Sequence, residues 1–191
     1  MNRLLSNLMF WSCLSQFLPI IFISFGIQYS EIYIMRRITE QEFAIKTILG
    51  NIFGVLAYFM ISQEWMLDFI NKHMKKFLVV VLVFYNIGHI LIPIHPWVAL
   101  LVITLNTSLI AKANETVFDD LHNQIFLKRD KTILTARRKM WSMIGVVCGS
   151  GLTLVIFHLE IKHVVYIALI GDLIMFAMEM LLYYKIKKII K

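Results

Sequence analysis

Two carboxylates carry the most chemical information in this chain. Asp172 stands in the middle of the apolar stretch Val164 to Tyr184, and Glu179 follows seven residues later. Seven residues is two turns of a helix, so both side chains share a face. Ionisable groups inside such stretches are costly and mark functional or paired positions. A carboxyl withdrawn from water can exchange a proton near neutral pH, the property a proton-coupled exchanger needs. An ion pair or hydrogen bond with a neighbour such as Lys112 or His89 is the other role open to Asp172.

A second group is polar and recurs at helical spacing. Ser12, Ser15, Gln16, Pro19 and Gly26 form one stripe; Thr104, Thr107, Ser108, Ala111, Asn114 and Glu115 form another. Stripes of this kind face protein or water, not lipid. Serine and threonine there commonly bond a neighbouring helix. Gln16, Asn114 and Glu115 are therefore the better candidates for a substrate cavity. Asn106 falls off its stripe and points to a neighbouring helix. His89 and Asn86 share one apolar stretch, with no second histidine at i+4, so no metal site is expected.

Enzymatic constellations are missing. Cys148-Gly149-Ser150-Gly151 lacks the first glycine of an intramembrane serine protease, and the last span holds no histidine. There is no HExxH, no phosphate-cradling glycine loop and no Walker-type lysine. The two cysteines, Cys13 and Cys148, form no CxxC pair. An enzyme is not expected, and no cofactor is implied.

These residues are positioned by apolar segments. Of 191 residues, 59% are hydrophobic and only 16% charged, against about half and a quarter in soluble domains. A bilayer core of about 30 Å needs roughly 20 apolar residues as a helix. Six such stretches are found, at about 8–29, 43–62, 77–93, 97–113, 140–157 and 164–184. The first is long and uncharged without a cleavage pattern, so it is read as retained. Thr39 and Glu42 fit a capping box opening the second. Pro93 and Pro96 bracket a turn, and Trp and Tyr residues sit near span ends. The expected fold is one all-α domain over residues 1–191, an integral membrane bundle of six transmembrane helices.

The formal charge of +7 raises the question of nucleic acid. With the N-terminus inside, only Arg36, Arg37, Lys46 and Lys162 of the 19 Lys and Arg residues lie outside. That is the positive-inside pattern, with both termini cytoplasmic in the plasma membrane. Basic residues merely flank spans, so the partner is the lipid bilayer and not nucleic acid. Phe118, Leu121 and Ile125 suggest a short helix lying on the inner membrane surface, with Lys128 and Arg129 available to headgroups, or else a loop helix packed under the bundle.

The connections run long, medium, very short, long and basic, then short. This layout resembles the N-terminal half of a major facilitator superfamily transporter. The junction Asp68-Phe-Ile-Asn71-Lys72-His73, with Lys75-Lys76 beyond, is similar to the loop signature Gly-x-x-x-Asp-Arg-x-Gly-Arg-Arg/Lys. Asp68 and Lys72 match in kind; Glu64, Phe69 and Asn71 replace the first glycine, the arginine and the turn glycine, Asn being tolerant of positive φ. The stretch Asn114 to Gly149, with its basic end Ala136-Arg137-Arg138-Lys139, resembles the connection between spans four and five of the macrolide-efflux type. Ile170-Gly171-Asp172 is similar to an acidic position of that type, while span five lacks the family's antiporter proline.

The resemblance implies half of a two-bundle transporter, moving a small amphipathic molecule through a pathway between bundles. A homodimer, or pairing with another half-transporter, would complete it. Gly50-x-x-x-Gly54 and Gly145-x-x-x-Gly149 let helices approach closely. They are expected to pack span two against span five of a mate, or else within one bundle. A non-transporting accessory or immunity protein is the alternative, favoured by Glu64 and Phe69. A truncated gene product is a third.

Overall fold

The computed structural model describes residues 3–155 and 159–190, with side chains from residue 5 and excepting 128 and 129. All secondary structure among them is helical. Helices α1 (Arg3–Met35), α2 (Glu40–Ile61), α3 (Glu64–Lys72) and α4 (Met74–Leu91) are followed by α5 (Pro96–Leu105). A π-helical turn, Asn106–Ile110, leads without a break into α6 (Ala111–Asn123), and α7 (Lys128–Val155) and α8 (Ile161–Ile190) complete the fold. Among the described residues, five segments are long and apolar enough to cross a membrane: Leu5–Met35, Glu40–Ile61, Met74–Leu91, Pro96–Asn123 and Ile161–Ile190.

Five of the six expected spans thus stand as helices of that character. The fifth lies on α7, whose first twelve positions hold Lys128, Arg129, Lys131, Arg137, Arg138 and Lys139. The expected span begins after those charges, and its end, Phe157, lies outside the described residues, so α7 is described over only part of that span.

Local chemistry sets the boundaries. The capping box forms as its spacing predicts: the Glu42 N–H donates to Thr39 Oγ1 at 3.2 Å, and the Thr39 N–H to Glu42 Oε2 at 2.7 Å. Pro96 opens α5, where its missing N–H costs no helical bond. Three expectations are corrected. Asp68, Asn71 and Lys72 belong to α3 and not to a turn, and no described residue has the positive φ that Asn71 was expected to supply. Phe118 and Leu121 do not lie on a membrane surface, because the fourth span continues straight through them and buries both in the core. The side chains of Lys128 and Arg129 lie outside the description.

Helix α1 packs on α7 and on α8; α8 packs on α4; α4 packs on α5; and α2 packs along α5, the π turn and α6. Directions follow from paired positions. Along α1 and α7 the numbers rise together, from Phe17 against Trp141 to Gln28 bonded to Ser150, so these helices are parallel. Along α1 and α8 they run oppositely, from Trp11 under Lys185 to Gly26 against Ala168. Helices α4 and α8 are likewise antiparallel, from Lys75 over Tyr184 to His89 beside Asp172.

Exchanging spans one, two and three for four, five and six leaves this packing pattern unchanged. The parallel pair α1–α7 corresponds to α2 beside the fourth span. The antiparallel pair α1–α8 corresponds to the fourth span beside α4, and α4–α8 maps onto itself.

Two apolar clusters bracket a polar middle. One, at the end where α1 begins and α8 ends, contains Leu8, Met74, Leu78, Val117, Leu121 and Ile186. The other, at the opposite end, contains Ile34, Ile92, Ala99, Leu100 and Val165. Outward positions such as Val55, Phe59, Val83, Val147 and Leu173 are exposed, as suits a surface bathed in lipid.

Candidate functional site

Between the two apolar clusters lies a cavity of about 260 Å³. Helix α1 contributes Ser15, Gln16, Pro19 and Ile20; α4 contributes Tyr85; α6 contributes Asn114, Glu115 and Phe118; α7 contributes Arg138; and α8 contributes Met175 and Glu179. A second hollow of about 250 Å³ adjoins it and shares Gln16, Glu115 and Arg138. The three cavity candidates, Gln16, Asn114 and Glu115, therefore meet in one place, joined by Glu179. Helical spacing accounts for part of this: Ser15, Gln16 and Pro19 on α1 and Ala111, Asn114 and Glu115 after the π turn share the lining, whereas Thr104 and Ser108 of the second stripe stand against Gly50 on α2.

Polar contacts fix this lining. Asn114, 5% exposed, donates from Nδ2 to Glu179 Oε1 at 2.9 Å. A carboxylate offers no donor, so the amide oxygen must turn away; Asn114 Oδ1 is buried without a partner. Arg138 pairs with Asp119 at 2.7 Å, and Glu115 pairs loosely with Lys112 at 3.4 Å. Below the cavity, His122 Nδ1 donates to the Phe118 carbonyl at 2.6 Å and Nε2 lies 2.9 Å from the Ser12 hydroxyl. A neutral imidazole accepting from Ser12 satisfies both bonds.

Asp172 does not line the cavity. It is fully buried, and His89 Nδ1 donates to its Oδ2 at 2.8 Å across the α4–α8 contact. Of the two neighbours its sequence context offered, His89 is the partner, while Lys112 is engaged by Glu115. Asp172 Oδ1 has no hydrogen-bond partner. The Tyr85 ring stacks on the His89 ring at 6.3 Å and also lines the cavity, so it links the two polar centres.

The remaining candidates are placed as follows. Asn106 is buried and donates to the Val81 carbonyl on α4 at 3.4 Å, so it does face a neighbouring helix. Thr104 and Thr107 donate to the Leu100 and Ile103 carbonyls of their own span. Ser150, within the protease-like string, accepts from Gln28 at 2.6 Å. Asp68 and Lys72 are exposed on α3, away from the cavity lining.

Of the two options for the glycine motifs, packing within one bundle is the one seen at Gly50, Gly145 and Gly149. A Cβ at Gly145 would lie 2.9 Å from Ile20 Cγ2, and one at Gly149 would lie 2.9 Å from Ser24 Cβ and press on the Ile21 carbonyl. Both glycines are occupied by α1 of their own bundle. Gly50 is similarly occupied by Thr104, 3.2 Å from where its Cβ would be. Among these four, Gly54 alone has nothing within 4 Å. Gly50, Gly145 and Gly149 thus permit close approach inside one chain, and Gly54 takes no part in it.

Sequence reasoning missed Ser12–His122 and Arg138–Asp119. Ser12 was on a recognised stripe, yet His122 and Asp119 fell beyond the expected fourth span, in the segment read as a short helix around Phe118 and Leu121. Among the described residues, no group of three or more His, Cys, Asp or Glu side chains comes together to hold a metal ion. No family model, curated protein or solved structure matches this chain.

Proposed function

We propose that the chain is one half of a facilitator-type secondary transporter, crossing the plasma membrane six times with both ends cytoplasmic. It exports or exchanges a small amphipathic molecule, and two copies, or this chain and another half, enclose the pathway. The observation that carries the reading is the exchange-symmetric packing around a polar cavity. Two units of three helices, α1, α2 and α4 against the fourth span, α7 and α8, repeat the same contacts. An odd number of crossings per unit inverts one unit relative to the other, as in the nested repeats of such transporters. The cavity opens between the leading helices of the two units. The parallel run of α7 beside α1 favours a sixth crossing. Glu179 in the cavity and Asp172 behind it are the carboxyls able to couple transport to protons.

A second reading is favoured by α3. Its regular helix at Asp68, Asn71 and Lys72 replaces the tight turn of the family signature, as suits an accessory or immunity protein that keeps the bundle without transporting. Mass in native lipid, combined with thiol labelling, separates the two. In a chain lacking Cys13 and Cys148, the Gln16→Cys variant is treated with an impermeant thiol reagent in oriented vesicles. A two-chain particle with Gln16→Cys labelled from the cytoplasmic face is expected for the transporter. A strict monomer, unlabelled from both faces, is the accessory protein.

A further inference from the structure

One charged group beside the cavity stands outside the ion pairs, and it names a ligand class. Arg138 is neutralised by Asp119 at 2.7 Å and Glu115 by Lys112 at 3.4 Å. Glu179 has only the neutral amide of Asn114 for a partner. Among the described residues, with the guanidinium of Arg138 in the same lining held by Asp119, Glu179 thus has no ion-pair partner. Beside it, Asn114 Oδ1 is a buried acceptor with no donor. Two acceptors and one negative charge converge; the unpaired donor of the same lining, Arg138 Nε, is buried on the guanidinium that pairs with Asp119. The rest of the nearby wall is apolar or aromatic: Ile20, Tyr85, Phe118 and Met175.

We propose that this cavity binds a protonated amine carried on a small apolar body. The ammonium N–H groups satisfy Glu179 and Asn114 Oδ1 together, a charge-assisted arrangement stronger than neutral hydrogen bonds. The Tyr85 and Phe118 rings receive the apolar part, and an aromatic face near a cation adds further attraction. An anion would meet Glu179 as a like charge, and a neutral alcohol would leave the carboxylate without its countercharge. A volume of about 260 Å³ admits a molecule the size of 2-phenylethylamine. This assignment rests on the transporter reading of the cavity, but concerns binding and is tested without transport.

The experiment uses the full-length protein in lipid nanodiscs and calorimetric titration at neutral pH. The probes are 2-phenylethylammonium, the neutral 2-phenylethanol and the anionic 3-phenylpropanoate. The ammonium is expected to bind at least about tenfold tighter than the alcohol, the weight of one charge contact in a partly wet site. Glu179→Gln is expected to remove that preference, while the alcohol binds both forms equally. Equal alcohol binding also shows that the variant keeps its fold. Glu160→Gln, on the far connection, keeps the wild-type preference. Equal affinity for ammonium and alcohol, a preference that survives Glu179→Gln, or no ammonium binding overturns the assignment. Transport of a neutral solute in vesicles would then leave the transporter reading standing on its own.

Discussion

Replacing Gly149 by alanine tests the packing that organises the bundle. The added Cβ would lie 2.9 Å from Ser24 Cβ and 3.1 Å from the Phe25 nitrogen, and would also press on the Ile21 carbonyl. Carbon atoms in good contact stand about 3.5–4.0 Å apart. Two of the three obstacles are backbone, which cannot rotate away, so α7 must withdraw from α1 by roughly 0.5–1 Å. A gap of that size forfeits about a quarter to a half of each contact it opens. Overpacking of this kind costs about 1–3 kcal/mol, or roughly 2–12 °C of melting temperature for a chain of this length. Gly54→Ala is the internal control, since it has the same chemistry and motif type but no atom within 4 Å. It is expected to stay within about 0.5 kcal/mol of wild type. The assay is thermal unfolding of the monomer in detergent, followed by tryptophan fluorescence. If both alanine variants melt together, Gly149 is not seated on α1. If Gly149→Ala weakens a dimer but leaves the monomer's melting unchanged, the residue faces a mate and the helix order is wrong.

Three further outcomes follow from named contacts. Asp172→Ala leaves His89 buried without its partner and is expected to cost about 3–5 kcal/mol; the double variant His89→Leu, Asp172→Leu should regain most of it. Additive losses in chemical unfolding would show that the pair is not the source. Ser12→Ala removes the donor to His122 Nε2 and should cost about 1–3 kcal/mol, measured by the same unfolding assay. A loss below that range would mean that water or another group serves the ring. In intact cells, Lys131→Cys in a chain without Cys13 and Cys148 is expected to resist an impermeant thiol reagent. External labelling would reverse the orientation derived from the basic residues.

What could be read in advance depended on how far each partner lay along the chain. Thr39 and Glu42 are three residues apart, so their box needed only local geometry. The phase of Asn106 within its span was enough to send it toward a neighbour. Gln16, Asn114 and Glu115 were recognisable as polar residues on helical stripes. Their meeting with Glu179 was not, because Asn114 and Glu179 lie 65 residues apart and nothing local selects that pairing. Ser12 and His122 are 110 apart. The glycine motifs were legible as close-approach sites, but which helix approached was a matter of tertiary order. Basic and acidic residues after Ala113 imitate a loop, although the segment is held helical by burial of Val117, Phe118 and Leu121. Tertiary burial overrode the polar composition there.

The π-helical turn at Asn106–Ile110 acts as a spacer one residue thick. Such turns carry a single extra residue within an otherwise α-helical path, and each residue of an α-helix turns the chain by about 100°. Deleting one position there would leave the downstream faces where they are, whereas rewinding the turn to regular α geometry with the chain length unchanged would swing everything downstream by that angle. Asn114 would leave Glu179, while Thr104, upstream of the turn, would keep its seat against Gly50. One span therefore holds two independently adjustable halves, an anchored stem and a rotatable wall, and the chamber's lining can be re-faced without unpicking the scaffold that supports it.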